Sequence, residues 1–465
     1  MGADLSYGRL HALACGLAQR LIALGVQPGD RVAIAMTKGL EMPVAIHAIW
    51  MAGAAFVPLD PKAPLQRQTT LIDNCSITCI LSAPRNADLA QTLAEASGAR
   101  AEMVSLDAAG ATGFEPARTP EDALAYIIFT SGSTGTPKGI CHTHASGRAF
   151  AEAWQAVYDA GPEDVFFSTV PLHFDFSLAD FFVPAHVGAM TELVAEPLLA
   201  FPASLAAHLE TSGGTIWSSV PHTFIQLCER GAVQTRDLGC LRWLIYGGEP
   251  MPASALPLLR ETFTGAAISN SYGPAETNQV IEYTVPADHP PSKPIPIGHP
   301  MSHAGLHIDD MGELLVAAPS MMQGYWQRPD LNDAAFADIA GVRHYRTGDR
   351  VALGEDGLWQ FLGRRDRLVK IRGFRIELDE VELALVSHDA VAEAAAVVPE
   401  DKQTLRVFAT LHPGAEHATD EAALRRYLAD LLPPYAVPER ITIRAALEKT
   451  STGKINRNVL TTETT

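Results

Sequence analysis

Leu10, Leu13, Leu17, Leu21 and Leu24 recur at spacings of three and four, so they line one face of a helix. Ser6 is placed to cap its start and Gly25 to end it. The apolar run 31–36 predicts a strand, 44–51 a helix and 55–59 a second buried strand. Strand and helix keep alternating through Trp243, the pattern of helices packed on mostly parallel sheets. Residues 286–300 are rich in Pro and His and read as an irregular connection. After it, 312–316, 358–362 and 368–376 are short strands separated by Gly and Asp turns. From Leu378 two more helices follow, with a strand at 406–411 between them. The expected fold is α/β: a large N-terminal domain, 1–363, of mostly parallel sheets sandwiched by helices plus a small β-subdomain, and a small α+β domain, 368–465. The boundary falls at 363–367, where four of five residues are charged.

Composition narrows the partners. The chain has 465 residues, 47% of them hydrophobic and 19% charged, a globular balance. With 35 Lys and Arg against 53 Asp and Glu, the net charge is −18. A protein that grips phosphate backbones through bulk charge needs the opposite excess, so no nucleic-acid partner is expected. The six cysteines do not form a disulfide scaffold, and Cys75, Cys79 and Cys141 beside His142 do not complete a metal tetrad. Reduced thiols and the lack of a basic start followed by an apolar core point to the cytoplasm. Met1, Gly2 and Ser6 fit the short myristoylation pattern, which chance also produces. The most apolar stretch, 42–59, contains Pro43, His47, Gly53 and Pro58 and reads as helix, turn and strand rather than a membrane span.

The sharpest local signal follows an apolar strand at 124–129. It runs Thr130-Ser131-Gly132-Ser133-Thr134-Gly135-Thr136-Pro137-Lys138-Gly139. Glycines permit turns that expose N–H groups, hydroxyls donate to phosphate oxygens, and Lys138 adds a point charge. The glycine spacing and Pro137 distinguish it from the G-x-x-x-x-G-K-[ST] loop. The competing reading is a flexible Ser/Gly turn.

This loop resembles the signature of the adenylate-forming superfamily: acyl- and aryl-CoA synthetases, luciferases, and adenylation domains of nonribosomal peptide synthesis. Ser6-Tyr7 with Leu10, and residues 52–60, resemble its early motifs. Residues 270–277, Asn-Ser-Tyr-Gly-Pro-Ala-Glu-Thr, resemble its adenine and magnesium motif, and 345–349 its ribose motif. Residues 363–378 resemble its hinge region, and 452–457 its C-terminal lysine motif. The resemblance implies ATP and Mg²⁺ as cofactors. A carboxylate attacks the α-phosphate, pyrophosphate leaves, and a thiol takes the acyl group.

The resemblance assigns Thr130, Ser131, Gly132, Ser133, Thr134, Gly135, Gly248, Asn270, Tyr272, Gly273, Thr277, Asp349 and Arg364 to the nucleotide. Tyr272 would stack on adenine, Asn270 bond its edge, and Asp349 accept both ribose hydroxyls. Lys138, Glu276 and Lys454 are the catalytic candidates, with Glu276 on the metal and Lys454 on the substrate carboxylate. Asp366 is the hinge of a mobile C-terminal domain (hinge 364–367). Gly373 marks a hairpin that would admit a pantetheine arm. Standing alone, each residue has a plainer reading: a core tyrosine, a turn aspartate, a helix-terminal glutamate or a solvated lysine.

Phe174-Asp175-Phe176-Ser177 bears on the substrate. In amino-acid-activating members an aspartate here pairs with the α-ammonium, and a carboxylate among phenylalanines needs a cation. The alternative is a helix N-cap. Flanking motifs place Phe176, Ala179, Ser219, Ile245, Gly247, Ser271, Gln279 and Val280 around the side chain. None of these eight is charged, so the resemblance implies an amino acid with a neutral, small side chain. The expected partner is a carrier protein bearing phosphopantetheine, served by a free-standing or excised domain. Two other readings stand: a CoA synthetase for fatty or aryl acids, and a nucleotide-binding module without catalysis. The last predicts loss of Lys138, Glu276, Asp349 or Lys454, and all four are present.

Overall fold

The structure is a computed structural model. It describes residues 4–111, 113–130, 137–248, 250–251, 253–291, 293–364, 368–399, 403–412, 414–415, 419–448, 455 and 457–462. Of the expected site residues, Ser131, Gly132, Ser133, Thr134, Gly135, Asp366 and Lys454 lie outside the described residues.

The leucine stripe forms helix Tyr7–Ala23, with the Ser6 hydroxyl accepting the Arg9 N–H at 3.3 Å and Leu13, Leu17 and Leu21 buried. Strands Arg31–Ile34, Ala55–Pro58, Cys79–Ser82 and Arg100–Met103 pair in parallel within a seven-stranded sheet. Strands Leu124–Thr130 and Lys138–Thr143 extend it, and Gly324–Tyr325 closes its edge antiparallel. A second seven-stranded sheet runs, in spatial order, His299–Pro300, Ile281–Thr284, Ala267–Tyr272, Trp243–Gly247, Ile216–Ser219, Val165–Ser168 and Met190–Leu193. Its central pairings are parallel and its two at the His299–Pro300 end are antiparallel. One hydrophobic core joins Leu17, Ile49, Phe56, Tyr126, Trp154, Phe166, Phe182 and Ile245. A third sheet, around the long strand Val342–Leu353, is the small β-subdomain.

Residues 42–59 form most of helix Glu41–Met51 and strand Ala55–Pro58. Among the described residues no helix is long and apolar enough to cross a membrane.

By its contacts the chain divides into two compact units. The first is Met1–Pro61, Cys75–Ile128 and Gly139–Arg365, and the second is Lys62–Asn74, Phe129–Lys138 and Asp366–Thr465. The second unit thus includes two segments that precede residue 139. Helix Leu65–Asn74 packs in it, tied by an Arg67–Glu380 ion pair at 2.9 Å in which both side chains are nearly buried. Contact between segments hundreds of residues apart leaves no periodic trace.

Within this unit the segment 368–376, one short strand by its residue pattern, is a hairpin turning at Gly373, Leu368–Ile371 with Phe374–Glu377. Arg372 (φ 51°) and Gly373 (φ 82°) supply its two-residue turn, the left-handed pair that suits the strand twist. A three-stranded sheet of Val391–Val397, Arg406–Leu411 and Arg440–Ile443 packs on helices Leu378–Val386 and Glu421–Leu431. The residue pattern marks only its middle strand; in Val391–Val397 alanines, weak strand formers, dominate.

Candidate active site

Strand Ala267–Tyr272 delivers Asn270, Ser271 and Tyr272 to the start of a tight turn. Gly273 has no room for a side chain there, since a Cβ would run into the Asn278 carbonyl. The Thr277 N–H donates to Pro274 O at 2.9 Å and closes the turn. The Tyr272 hydroxyl donates to Asp349 Oδ2 at 2.5 Å, and both residues are buried. Asp349 lies in strand Val342–Leu353, directly opposite Arg364 of strand Trp359–Arg364. Tyr272 and Asp349, two of the expected nucleotide ligands, thus converge, and Asp349 is a strand residue rather than a loose turn aspartate. Asn270 Nδ2 donates to Pro296 O at 2.8 Å, which holds its amide from behind. Gly248 has φ 85°, a left-handed conformation that favours glycine.

Glu276 is fully buried in that turn, not at a helix start. The Tyr325 hydroxyl donates to its Oε1 at 2.8 Å and contacts the Tyr345 hydroxyl at 3.3 Å. Behind the turn is His142, whose Nε2 meets Ala275 O at 2.9 Å and whose Nδ1 meets Ser146 Oγ at 3.2 Å. A carbonyl only accepts, so Nε2 carries the proton. Asn278 Nδ2 donates to Ser320 O at 3.0 Å, and the imidazole stacks on Tyr126 at 4.8 Å. Burial pushes His142 down to about 4, against the pull of its Ala275 bond and the Glu276 charge. Sequence reasoning weighed His142 only as a metal ligand. Its neighbours 133 residues away decide its task.

In the second unit, Thr130 Oγ1 is buried with no hydrogen-bond partner among the described residues. Lys138 Nζ lies 4.0 Å from the buried Glu377 carboxylate.

The expected amino-acid ligands are brought together in part. Asp175 opens the short 3-10 turn Asp175–Leu178, but Phe174 holds the capping position and makes no side-chain cap bond. The Asp175 charge, with burial as the larger cause, raises the Tyr126 phenol. Gly247 faces Phe176 and Ser271: a Cβ there would lie 2.8 Å from Ser271 O and 3.1 Å from the Phe176 ring. Ala179, Ile245 and Phe176 share one hydrophobic cluster.

Ser219 does not join them. In the parallel register Ile245 pairs with Ser218 and Tyr246 with Ser219, so Ser219 faces away from Ile245 and Gly247. Val280 packs with Tyr272, Ile281 and Ile297 instead. Gln279 Nε2 donates to the Tyr158 hydroxyl at 2.7 Å. Tyr158, Ser269 and Lys38 were not anticipated. Lys38 Nζ donates to Ser168 O and Oγ at 2.9 Å each, and burial pushes it down to about 8.

Residues 1–326 match the model of the AMP-binding enzyme family, and residues 380–454 that of the AMP-binding enzyme C-terminal domain. The chain belongs to the AMP-binding enzyme family. It is a ligase that forms adenylates from ATP. It is 31% identical to an L-proline–[L-prolyl-carrier protein] ligase of Pseudomonas fluorescens, over 98% of this chain and 93% of that one. It is 32% identical to part of a dimodular nonribosomal peptide synthase of Bacillus subtilis, over 98% of this chain and 20% of that protein. Its fold matches the solved amide bond synthetase McbA of Marinactinospora thermotolerans with a TM-score of 0.89 at 26% identity, covering 99% of this chain and 96% of that one.

Proposed function

We propose that this AMP-binding enzyme activates a small, neutral amino acid as its aminoacyl-adenylate, releases pyrophosphate, and passes the acyl group to the phosphopantetheine thiol of a carrier protein. The observation that carries this reading is the cluster of Phe176, Gly247 and Ser271: uncharged walls with no space for a Cβ on Gly247. A carboxylate, Asp175, opens the turn that holds Phe176. The relatives with carrier-protein ligase names agree with it.

Tyr272 and Asp349 hold adenine and ribose. Glu276 is the residue that would hold Mg²⁺, and its buried, hydrogen-bonded carboxylate suits a hard cation. When bound, the ion supplies neutralisation of phosphate charge. Lys138 adds a fixed positive charge for the phosphates. Lys454 orients the substrate carboxylate in line with the α-phosphorus and stabilises charge where it concentrates. Residues 364–367, with Asp366, form the hinge that exchanges Lys454 for the Gly373 hairpin before thiol transfer. The setting is the cytoplasm, where the free cysteines stay reduced.

Pyrophosphate exchange across the proteinogenic amino acids, β-alanine and D-alanine tests the reading. Exchange with one or a few small neutral amino acids is expected. Exchange driven only by fatty or aryl acids would overturn it.

A further inference from the structure

Gln279 is the end of a buried chain of hydrogen bonds that leads to a carboxylate. Its Nε2 donates to the Tyr158 hydroxyl at 2.7 Å. Tyr158 meets Ser269 Oγ at 3.1 Å, and Ser269 Oγ donates to Glu282 Oε2 at 3.3 Å. The Thr284 hydroxyl converges on the same Oε2, also at 3.3 Å. Tyr158 and Ser269 are completely buried and Gln279 nearly so, so water does not compete between them, whereas Glu282 at the charged end is half-buried. The Tyr158 ring is clamped between Trp154 (4.4 Å) and Trp243 (5.1 Å).

The direction of such a chain is set at its charged end. A carboxylate only accepts, and a hydroxyl has one proton to give. Ser269 spends its proton on Glu282, so it must accept from Tyr158. Tyr158 spends its proton on Ser269, so its oxygen must accept from Gln279. Only the Nε2 end of the amide can donate. The two ends of a glutamine amide have nearly the same shape, so packing alone does not choose between them. Oε1 is left at the other end, and among the described residues no donor meets it.

The strand register places the Ser269 part of this chain on the pocket side of the sheet, and the Tyr158 hydroxyl ties the Gln279 amide to it. Ser269 pairs with Ile245 and Ser271 with Gly247, while Glu282 pairs with Ser271 from the other neighbour. Ser269 and Ser271, two apart on strand Ala267–Tyr272, therefore share a face with Ile245 and Gly247.

We propose that Glu282, acting through Ser269 and Tyr158, fixes the Gln279 amide with Oε1 toward the substrate, so that the pocket selects an amino acid whose side chain carries a hydrogen-bond donor. The proposal rests on the amino-acid reading above and narrows it to side chains with a hydroxyl or amide N–H. Glu282, Ser269 and Tyr158 are positioning residues, because none touches substrate. A buried acceptor left unpaired by an apolar side chain is costly, which is what makes the discrimination strong.

The test is pyrophosphate exchange with near-isosteric pairs: threonine against valine, serine against 2-aminobutyrate, asparagine against leucine. The wild type should favour the donor-bearing member of at least one pair about tenfold or more in kcat/KM. Tyr158→Phe keeps the clamped ring and deletes the relay. Glu282→Gln keeps the shape and removes the bias. Each should lower that preference about fivefold or more while the KM for ATP holds. A purely structural role would lower both members of a pair alike, and an unchanged ratio in both variants overturns the relay. A wild type that prefers the apolar members, or ignores the difference, overturns it while leaving amino-acid activation standing. Absence of exchange with any amino acid overturns the underlying reading as well.

Discussion

The Tyr272 hydroxyl donates to Asp349 Oδ2 across 77 residues of sequence, linking the strand that ends in the adenine motif to the strand of the β-subdomain. A charge-assisted bond of this kind sets the orientation of the carboxylate proposed to hold ribose. Tyr272→Phe keeps the ring and removes the donor. The KM for ATP should rise about tenfold, the effect of a hydrogen bond to a charged group, with little change in the KM for the amino acid. Steady-state exchange kinetics check this, and an equal rise in both would contradict the assignment.

Gly247 is the next point of leverage. A methyl group at this position meets Ser271 O and the Phe176 ring within 3.2 Å. Gly247→Ala should cost roughly 1–3 kcal/mol of overpacking. The loss should appear as a KM increase for the amino acid, with ATP binding unaffected.

Asp175→Ala separates an ammonium ligand from a structural residue. Amino-acid use should fall at least about tenfold, whereas activation of the desamino analogue should change little. Equal losses with both substrates would remove the ligand role.

His142 carries a pH signature. Burial holds its folded pKa near 4, below the unfolded value of about 6.5. Between those values the unfolded chain binds the extra proton, so the stability due to neutral His142 is complete above about pH 6.5 and is lost as pH falls toward 4. His142→Gln should flatten that part of the melting-temperature profile. It should also destabilise the neutral-pH protein by about 1–3 kcal/mol, because the Ala275 carbonyl and Ser146 lose their partner.

The roles proposed for Lys454 and Gly373 separate the two half reactions. Lys454→Ala should lower adenylate formation about a hundredfold while ATP still binds. Gly373→Trp should spare pyrophosphate exchange and block transfer to the carrier thiol. Since Gly373 has φ 82°, Gly373→Asn is the control that tolerates the backbone and leaves transfer intact. Loss of both half reactions in Gly373→Trp, with the control active, would remove the hairpin from thiol transfer.

Much of this protein was legible in one dimension. The leucine spacing from Leu10 predicted the first helix because a helix repeats every 3.6 residues. The motifs at 130–139, 270–277 and 345–349 were readable because loops that cradle phosphate or bind ribose need fixed residue types at fixed local spacing. The tertiary structure alone decided which side chains meet. Strand register turned Ser219 away from Ile245 and Gly247, and left Ser218 on their face. Packing joined Leu65–Asn74 to a unit that lies mostly beyond residue 366. It also ran a hydrogen-bond chain from Gln279 to Glu282 through Tyr158, more than a hundred residues upstream. Periodicity and local spacing are properties of neighbours in the chain, whereas register, burial and hydrogen-bond direction are properties of neighbours in space.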